Sequence, residues 1–143
     1  MGKKLKVGII GAGRIGKVHT LSIMNYIPEV EIKAISDIYF DAAKEWAEQN
    51  GIPVATADYK EILNDPEIDA VLVCSSTDTH SQISVEAAKA GKHIFCEKPV
   101  DLTIPKVEAV IEAAKEAGVK LQIGFNRRFD HNFRKVRELI KDG

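Results

Sequence analysis

Short apolar runs alternate with segments in which apolar residues recur every three or four positions, and this alternation continues along the whole chain. The apolar runs predict six strands, at residues 5–10, 30–36, around 54, 70–74, 93–96 and 120–124. The periodic segments predict helices at residues 14–26, 41–50, 59–64, 80–90, 104–117 and 131–141. Turn-forming residues separate these elements: Pro28, Gly51, Asp65-Pro66, Gly91 and Gly118.

Strict alternation of strand and helix predicts an α/β fold with a mainly parallel sheet. Residues 70–74 are all apolar, as expected for a strand buried on both faces in the middle of such a sheet. We expect a Rossmann-type, doubly wound sheet of six strands in the order 3-2-1-4-5-6, with helices on both faces. Predicted helix N-caps are Asp58 (in a capping box with Glu61), Thr103 and Asp130.

A glycine-rich turn joins the first strand to the first helix, in the sequence Gly11-Ala12-Gly13-Arg14-Ile15-Gly16. In a dinucleotide-binding turn, Gly11 permits the sharp bend, Gly13 lets the backbone approach a pyrophosphate, and Gly16 lets the helix lie close to the strand. The backbone N–H groups around Arg14 and Ile15 then face the phosphates at the positive end of the helix.

Asp37 follows the second predicted strand, at the distance from the glycines where a carboxylate contacts the adenosine ribose. Its charge would repel a 2′-phosphate, so the sequence favours NAD over NADP as the cofactor. A glycine turn with only a structural role is the alternative interpretation.

Further polar residues follow the fourth strand, where ligands bind in such sheets. Ser75, Ser76 and Thr77 are predicted to hydrogen-bond the cofactor, or else to satisfy the start of the following helix. His80 is a candidate at the same site, although a lone histidine there more commonly caps or packs.

Lys98 is the predicted catalytic group, because a lysine after the fifth strand should face the nicotinamide end of the pocket. It can exchange a proton with a substrate oxygen if burial and its neighbours lower its pKa. Glu97 either pairs with this lysine or caps nearby backbone. A surface lysine beside a turn proline is the alternative, and the bond before Pro99 can be cis or trans.

Asn126 and Arg128 follow the sixth strand and could orient the cofactor carboxamide or a polyol substrate, or simply be solvated. Phe125, Phe129 and Phe133 recur every four residues. They are expected either to pack on the sheet or to form an interface with something outside this chain.

Composition narrows the class of protein without identifying a ligand. The 143 residues suit one domain, and a net charge of −1 predicts neither a nucleic acid nor an anionic membrane as partner. With no spanning segment or signal pattern, we expect a cytoplasmic location. Cys74 and Cys96 lack histidine partners at metal-ligand spacing, so we expect buried reduced thiols and no metal.

Four motifs together resemble one family. GAGRIGxxH at the start, SSTDTH after the fourth strand, FCEKP after the fifth and GFNRRFD after the sixth are similar to motifs of the Gfo/Idh/MocA dehydrogenases of sugars and polyols. The resemblance is strongest to the inositol 2-dehydrogenases and extends through about residue 141. The EKP and GFNRRFD motifs are much more specific than the glycine turn.

The resemblance implies NAD or NADP as oxidant for a secondary alcohol of a cyclic polyol or sugar, commonly in a tetramer. It implies that Lys98 is the catalytic lysine and that the glycine turn, Asp37 and the Ser/Thr loop hold the cofactor. Asn126 and the neighbouring arginines belong to the nicotinamide and substrate side, and Glu97 and Lys98 are also candidate cofactor contacts.

The resemblance also implies a second domain, which completes the substrate pocket, the oligomer interface and a proton relay. Residues 1–143 are therefore expected to be an NAD(P)-binding domain without that second domain, binding cofactor with little or no turnover. The alternative is a folding module that self-associates through the surface the second domain would cover. A methyltransferase or flavoprotein, which would leave EKP and GFNRRFD without a role, is a third hypothesis.

Overall fold

The computed structural model describes residues 3–143 as six parallel strands in the order β3-β2-β1-β4-β5-β6. This is the predicted order. The strands are β1 (Leu5–Ile10), β2 (Val30–Ser36), β3 (Val54–Thr56), β4 (Ala70–Val73), β5 (His93–Cys96) and β6 (Leu121–Ile123). The order reverses between β1 and β4, and in doubly wound sheets this is where a crevice opens at the carboxyl edge.

Helices cover both faces of the sheet, as predicted. They are α1 (Arg14–Tyr26), α2 (Phe40–Gln49), α3 (Tyr59–Asn64), α4 (Thr77–Lys89), α5 (Ile104–Glu116) and α6 (His131–Asp142). Buried residues of α1 and α2 pack in one core cluster, and those of α3, α4 and α5 pack in the other. Within residues 3–143, no helix is long and apolar enough to cross a membrane.

Successive side chains of β1 point to opposite faces of the sheet and contribute to both core clusters. Val7 and Ile9 lie in the cluster with α1 and α2, whereas Ile10 lies in the cluster with α3, α4 and α5. Gly8 faces α3 so closely that a Cβ there would lie 2.3 Å from Cγ2 of Ile62. Side chains of a strand point alternately to opposite faces, so a strand buried on both faces is apolar throughout.

The structure corrects the predicted start of α4. This helix begins at Thr77 rather than at position 80, so residues 77–79, expected in a loop, form its first turn. Ser, Thr and Asp favour caps and turns because their side chains bond nearby backbone, which made the segment look like a loop. Here Thr79 Oγ1 donates to the Ser76 carbonyl at 2.8 Å, a bond made within the helical turn.

Two predicted N-caps also differ in detail. The Asp58 side chain accepts from the Lys60 N–H of α3, a simple cap in place of the expected capping box. Thr103 makes no side-chain cap on α5, and instead Asp101 accepts from both the Thr103 N–H and its hydroxyl. Asp130 caps α6 as predicted, accepting from the N–H groups of Asn132 and Phe133.

Candidate functional site

A cleft of about 580 Å³ lies at the carboxyl edge of the sheet, beside the point where the strand order reverses. Seven of the predicted site residues line it: Gly11, Gly13, Arg14, Ile15, Asp37, Ser75 and Ser76. Its other lining residues were not predicted as part of a site: Ile10, Ser36, Ile38, Tyr39, Ala57, Tyr59, Cys74, Thr79 and Ile83. Most of these are apolar or aromatic, and no motif distinguishes such wall residues from ordinary core.

Gly11 makes the sharp turn at the end of β1. Its φ is +102°, and a Cβ at this position would lie 2.5 Å from the backbone nitrogen of Ser75. Gly16 lies behind the turn, where a Cβ would lie 1.9 Å from the Gly11 carbonyl oxygen. Gly16 is therefore outside the cleft lining, and its role is the predicted close approach of α1 to β1.

Gly13 differs from both of these glycines because the space beside it is open. A Cβ there would meet no atom within 4 Å, and its backbone conformation is ordinary for any residue. Gly13 is the N-cap of α1 and provides no side-chain cap, so the first N–H groups of α1 face the open cleft. This arrangement fits a pyrophosphate, which needs close backbone approach and N–H donors.

Asp37 holds two segments of the cleft together. Its Oδ2 accepts from the Ala12 N–H at 2.6 Å, and its Oδ1 accepts from the Tyr39 N–H at 2.9 Å. The sequence motif predicts a carboxylate here but not these two bonds. Since each carboxylate oxygen has two lone pairs, both oxygens keep the capacity to accept a ribose hydroxyl.

The polar segment after β4 contributes to the cleft only in part. Ser75 and Ser76 line it, as does Thr79, whose hydroxyl lies 2.7 Å from that of Ser75. Thr77, predicted as a cofactor contact, is the first residue of α4 and is outside the lining.

Glu97 is bound on both oxygens at the end of β5. Its Oε1 lies 2.6 Å from Nε2 of His19 on α1, and its Oε2 accepts from the Lys98 backbone N–H at 3.1 Å. The His19 ring also packs edge-on against Phe95, with 5.1 Å between ring centroids. His19 ends the motif GAGRIGxxH, and no role was predicted for its side chain.

Lys98 and Glu97 do not form the side-chain pair that was one of the two predictions. Glu97 caps nearby backbone instead, and the Lys98 side chain is exposed. The Lys98–Pro99 peptide bond is cis. Burial, the condition predicted for a proton-transferring lysine, is thus not provided by the part of the chain that the structure describes.

The segment after β6 adjoins the EKP motif through Gly124. The Gly124 N–H donates to the Cys96 carbonyl, and a Cβ at Gly124 would lie 3.0 Å from Glu97 Oε1. Asn126 and Arg128 follow in a 3₁₀ turn, Asn126–Phe129, and both are exposed outside the cleft lining.

The three recurring phenylalanines do not pack on the sheet. Phe125, Phe129 and Phe133 are 50%, 74% and 49% exposed, and no residue of α6 is buried. Arg127 and Arg128 lie over the rings of Phe133 and Phe125. Of the two predicted roles, packing on the sheet is therefore wrong for these rings.

His80 is buried and does not line the cleft. Its Nδ1 lies 2.8 Å from the Pro99 carbonyl oxygen and its Nε2 lies 2.9 Å from that of Ser75. Burial by itself lowers the pKa of His80, but the nearby Cys96 sulfur and these two carbonyls raise it to about 9. With both ring nitrogens engaged, the direct cofactor contact predicted for His80 has no geometric support.

Two titratable groups of the cleft wall are held neutral. Burial, with the Glu97 and Cys96 side chains nearby, raises the pKa of the Cys74 thiol to about 12. Burial and a hydrogen bond to Glu86 raise the pKa of Tyr59 to about 12. Both cysteines are free and buried, as predicted. Among residues 3–143, no three His, Cys, Asp or Glu side chains are grouped so that they could hold a metal ion.

Residues 5–125 match the GFO_IDH_MocA family, described as an oxidoreductase family with an NAD-binding Rossmann fold. The chain belongs to this family. The description of the family names NAD rather than a flavin or S-adenosylmethionine, so the match favours the dehydrogenase hypothesis over the methyltransferase and flavoprotein alternatives.

Two curated relatives are similar to this chain over nearly its whole length. Myo-inositol 2-dehydrogenase of Thermotoga maritima is 46% identical over 97% of this chain, which spans 41% of that protein. An uncharacterized oxidoreductase of Bacillus subtilis, YrbE, is 48% identical over 100% of the chain and 42% of its own length. The chain thus spans about two fifths of the length of these relatives.

The solved structure of a relative has the same fold as this chain. Scyllo-inositol dehydrogenase of Lactobacillus casei, determined with bound NAD(H) and scyllo-inositol, has a TM-score of 0.89 and 35% identity. The similarity covers 99% of this chain and 42% of that protein. This chain is therefore an inositol dehydrogenase-like NAD-binding domain of the family.

Proposed function

We propose that this chain binds NAD(H) in the cleft and forms the cofactor half of an enzyme that oxidises a secondary alcohol of a cyclic polyol, of the inositol class. The observation that carries the proposal is the open space at Gly13, bounded by the α1 N-terminus and by the Asp37 carboxylate. A pyrophosphate fits the first position and an adenosine ribose fits the second. The names of the relatives support the polyol as substrate class.

NAD is proposed over NADP because of the charge and the anchoring of Asp37. Two backbone N–H groups hold the carboxylate at the cleft, so it cannot easily swing away from a ligand. A 2′-phosphate at this position would face a fixed negative charge, whereas a ribose hydroxyl would donate to it.

Lys98 is proposed as the catalytic residue. It follows β5 on the same edge of the sheet as the cleft, and Glu97 fixes its backbone N–H. NAD, when bound, supplies the hydride acceptor. In the whole enzyme the Lys98 amine would help remove the proton of the substrate hydroxyl, for which its pKa must be brought near the working pH by groups that cover it.

The exposed Lys98 leads us to propose that residues 1–143 alone turn over little or no substrate. A second domain, in the part of the relatives that this chain does not span, would cover the lysine and complete the polyol pocket. Holding reactants in attack geometry accounts for about 7–11 kcal/mol of a typical barrier, so half a pocket would lose most of the rate. Asn126 and Arg128 would lie on the nicotinamide and substrate side.

A fluorescence titration with NADH, with NADPH in parallel, tests the cofactor assignment. Saturable NADH binding with much weaker NADPH binding supports it. A chain that is folded by circular dichroism yet binds neither nucleotide overturns it. Inositol-dependent production of NADH by this chain, abolished by Lys98→Ala, would overturn the claim that the chain alone is inactive.

A second candidate function rests on the apolar face of α6. Phe133, Val136, Leu139 and Ile140 are all about half exposed or more, on a helix with no buried residue. Self-association of two chains through this face would make the domain a binding module rather than an enzyme part. Light scattering at high concentration distinguishes the two cases, because a clean monomer contradicts self-association.

A further inference from the structure

We propose that His80 is a positioning residue, a buried imidazolium whose two N–H groups clamp the loop after β4 to the loop after β5. The clamp joins the segment that lines the cofactor cleft to the segment that carries Lys98. Its effect on catalysis rests on the function proposed above. The clamp itself is a property of this domain and can be tested without any cofactor.

The geometry requires two protons on the ring. The atoms facing Nδ1 and Nε2 are both backbone carbonyl oxygens, which only accept hydrogen bonds. A neutral imidazole has one N–H, so one of its nitrogens would present a lone pair to a carbonyl lone pair at under 3 Å. Only the imidazolium donates at both positions.

Because the charged ring is buried, its two hydrogen bonds are needed to stabilise it. The His80 residue is 2% exposed, and an unpaired polar group at such a site is costly. Two charge-assisted bonds, each stronger than a neutral hydrogen bond, offset the loss of water. Both acceptors are fixed in backbone, so the attraction that stabilises the ring also restrains the two loops.

Neighbouring groups are consistent with a clamp at this place. Ser81, the next residue of α4, donates to Asp101 Oδ2 at 2.6 Å, so two successive residues bond the loop between β5 and α5. Asp101 also pairs with Lys106 at 3.5 Å. Cys96, a titratable residue of β5, lies beside the ring, and its Sγ donates to the Glu97 carbonyl at 3.3 Å.

The consequence for the site is a fixed spacing between two loops. Ser75 lines the cleft, and Pro99 directly follows Lys98. One ring therefore bridges the cofactor side and the proton-transfer side of the proposed active site. The last backbone hydrogen bond between β4 and the chain leaving β5 runs from the Glu97 N–H to the Val73 carbonyl, so the sheet itself does not restrain Ser75 against Pro99.

The first test is ¹⁵N NMR of the His80 ring in the 143-residue chain at pH 7.5, without cofactor. Two protonated ring nitrogens are expected. A neutral tautomer, with one protonated and one bare nitrogen, overturns the proposal. This measurement needs no variant and does not depend on whether the chain binds NAD.

The second test uses two variants that each keep one half of the clamp. The amide nitrogen of Asn lies where Nδ1 lies in His, and that of Gln lies where Nε2 lies. His80→Asn should keep the Pro99 contact and lose the Ser75 contact, and His80→Gln should do the reverse. The amides of Ser76 and Val100 report on this, because each shares a peptide unit with one acceptor carbonyl.

The expected result is a crossed pattern of amide shifts. His80→Asn moves Ser76 more than Val100, and His80→Gln moves Val100 more than Ser76. Equal effects of both variants on both amides would mean that the ring only fills space, and this would overturn the proposal. If neither variant folds, the ring measurement on the unmodified chain decides alone.

Ser84→Ala is the matched control. Ser84 lies one turn further along α4, is fully buried, and its hydroxyl has no hydrogen-bond partner in the described structure. Its loss should leave Ser76 and Val100 unmoved. Shifts in Ser84→Ala as large as those of the His80 variants would show that any core change in α4 disturbs the loops, which contradicts a specific clamp.

Discussion

Nε2 of His19 lies 2.6 Å from Oε1 of Glu97, which joins the middle of α1 to the residue directly before Lys98. Glu97 uses its other oxygen to accept the Lys98 backbone N–H. The glutamate of the EKP motif therefore acts on the backbone of the lysine rather than on its amine. We infer that His19 and Glu97 together determine where the Lys98 backbone lies.

His19→Phe should lower the free energy of unfolding by about 1–3 kcal/mol, because it leaves Oε1 of the largely buried Glu97 carboxylate unpaired. Phenylalanine keeps a ring for the edge contact with Phe95, so the loss reports mainly on the hydrogen bond. Chemical denaturation of this variant and the original chain measures the difference.

His19→Gln is the matched variant for this contact, because its amide N–H can reach the position of Nε2. It should lose less stability than His19→Phe. The reverse ranking would mean that ring packing, not the hydrogen bond to Glu97, is what His19 contributes.

Two of the motif glycines, Gly11 and Gly13, distinguish effects on folding from effects on binding. Gly11→Ala should cost about 1–3 kcal/mol from its left-handed backbone alone, with a further loss from the clash at Ser75. Gly13→Ala should cost about 1 kcal/mol or less, because its Cβ meets nothing. Thermal unfolding followed by circular dichroism gives both values.

Gly13→Ala should weaken NADH binding although it costs little folding stability. A folded Gly13→Ala chain should bind NADH at least about tenfold more weakly, a loss of roughly 1.4 kcal/mol, since the methyl group fills the space proposed for the pyrophosphate. Fluorescence titration checks this. Unchanged NADH affinity would move the proposed phosphate position away from Gly13.

The sequence allowed the strand order and the glycine turn to be predicted because both follow from local rules. Apolar runs separated by amphipathic helices give a parallel sheet, and Gly11 needs a backbone that only glycine adopts easily. The start of α4 was missed because Thr77 and its polar neighbours favour loops locally. Burial of His80, a tertiary contact, accompanies the extra helical turn.

Site residues could be predicted from the sequence only where they lie close to the end of a strand. Asp37 comes directly after β2 and Ser75 comes two residues after the end of β4, so the topology alone places both at the carboxyl edge. The contact between His19 and Glu97 joins residues far apart in the chain, and no spacing rule brings them together. The same holds for Tyr59 and Ile83, which reach the cleft wall from α3 and α4.

Asp37→Asn should shift the preference between the two nucleotides. Asparagine removes the negative charge and keeps one oxygen, which can accept from only one of the Ala12 and Tyr39 N–H groups, so circular dichroism is used to check that the variant is folded. We expect the ratio of NADH to NADPH affinity to fall by about tenfold, from lost repulsion of the 2′-phosphate. Parallel titrations with both nucleotides measure the ratio.

Asp41→Asn is the control for that charge change, since Asp41 is an exposed carboxylate in the first turn of α2. It should leave the ratio nearly unchanged. An equal shift in both variants would mean that overall charge, rather than the Asp37 carboxylate at the ribose, determines the preference.

Cys74 should make the chain sensitive to alkaline pH in a defined window. Its pKa is raised to about 12 by burial and by Glu97 and Cys96, whereas an unfolded thiol titrates near ~8.5. Below the unfolded value the thiol is neutral in both states and this contribution to stability is fully present. As pH rises toward the folded value, the unfolded chain loses its proton first, so stability falls.

Alkylation and unfolding together check this prediction. At pH 8.5 the native chain should react with iodoacetamide at Cys74 far more slowly than the urea-unfolded chain, as followed by peptide mass spectrometry. Cys74→Ser should flatten part of the decline in stability above pH 9, because its hydroxyl does not titrate there. Rapid native alkylation of Cys74 at pH 8.5 would contradict the raised pKa and would mean that the cleft wall opens to solvent.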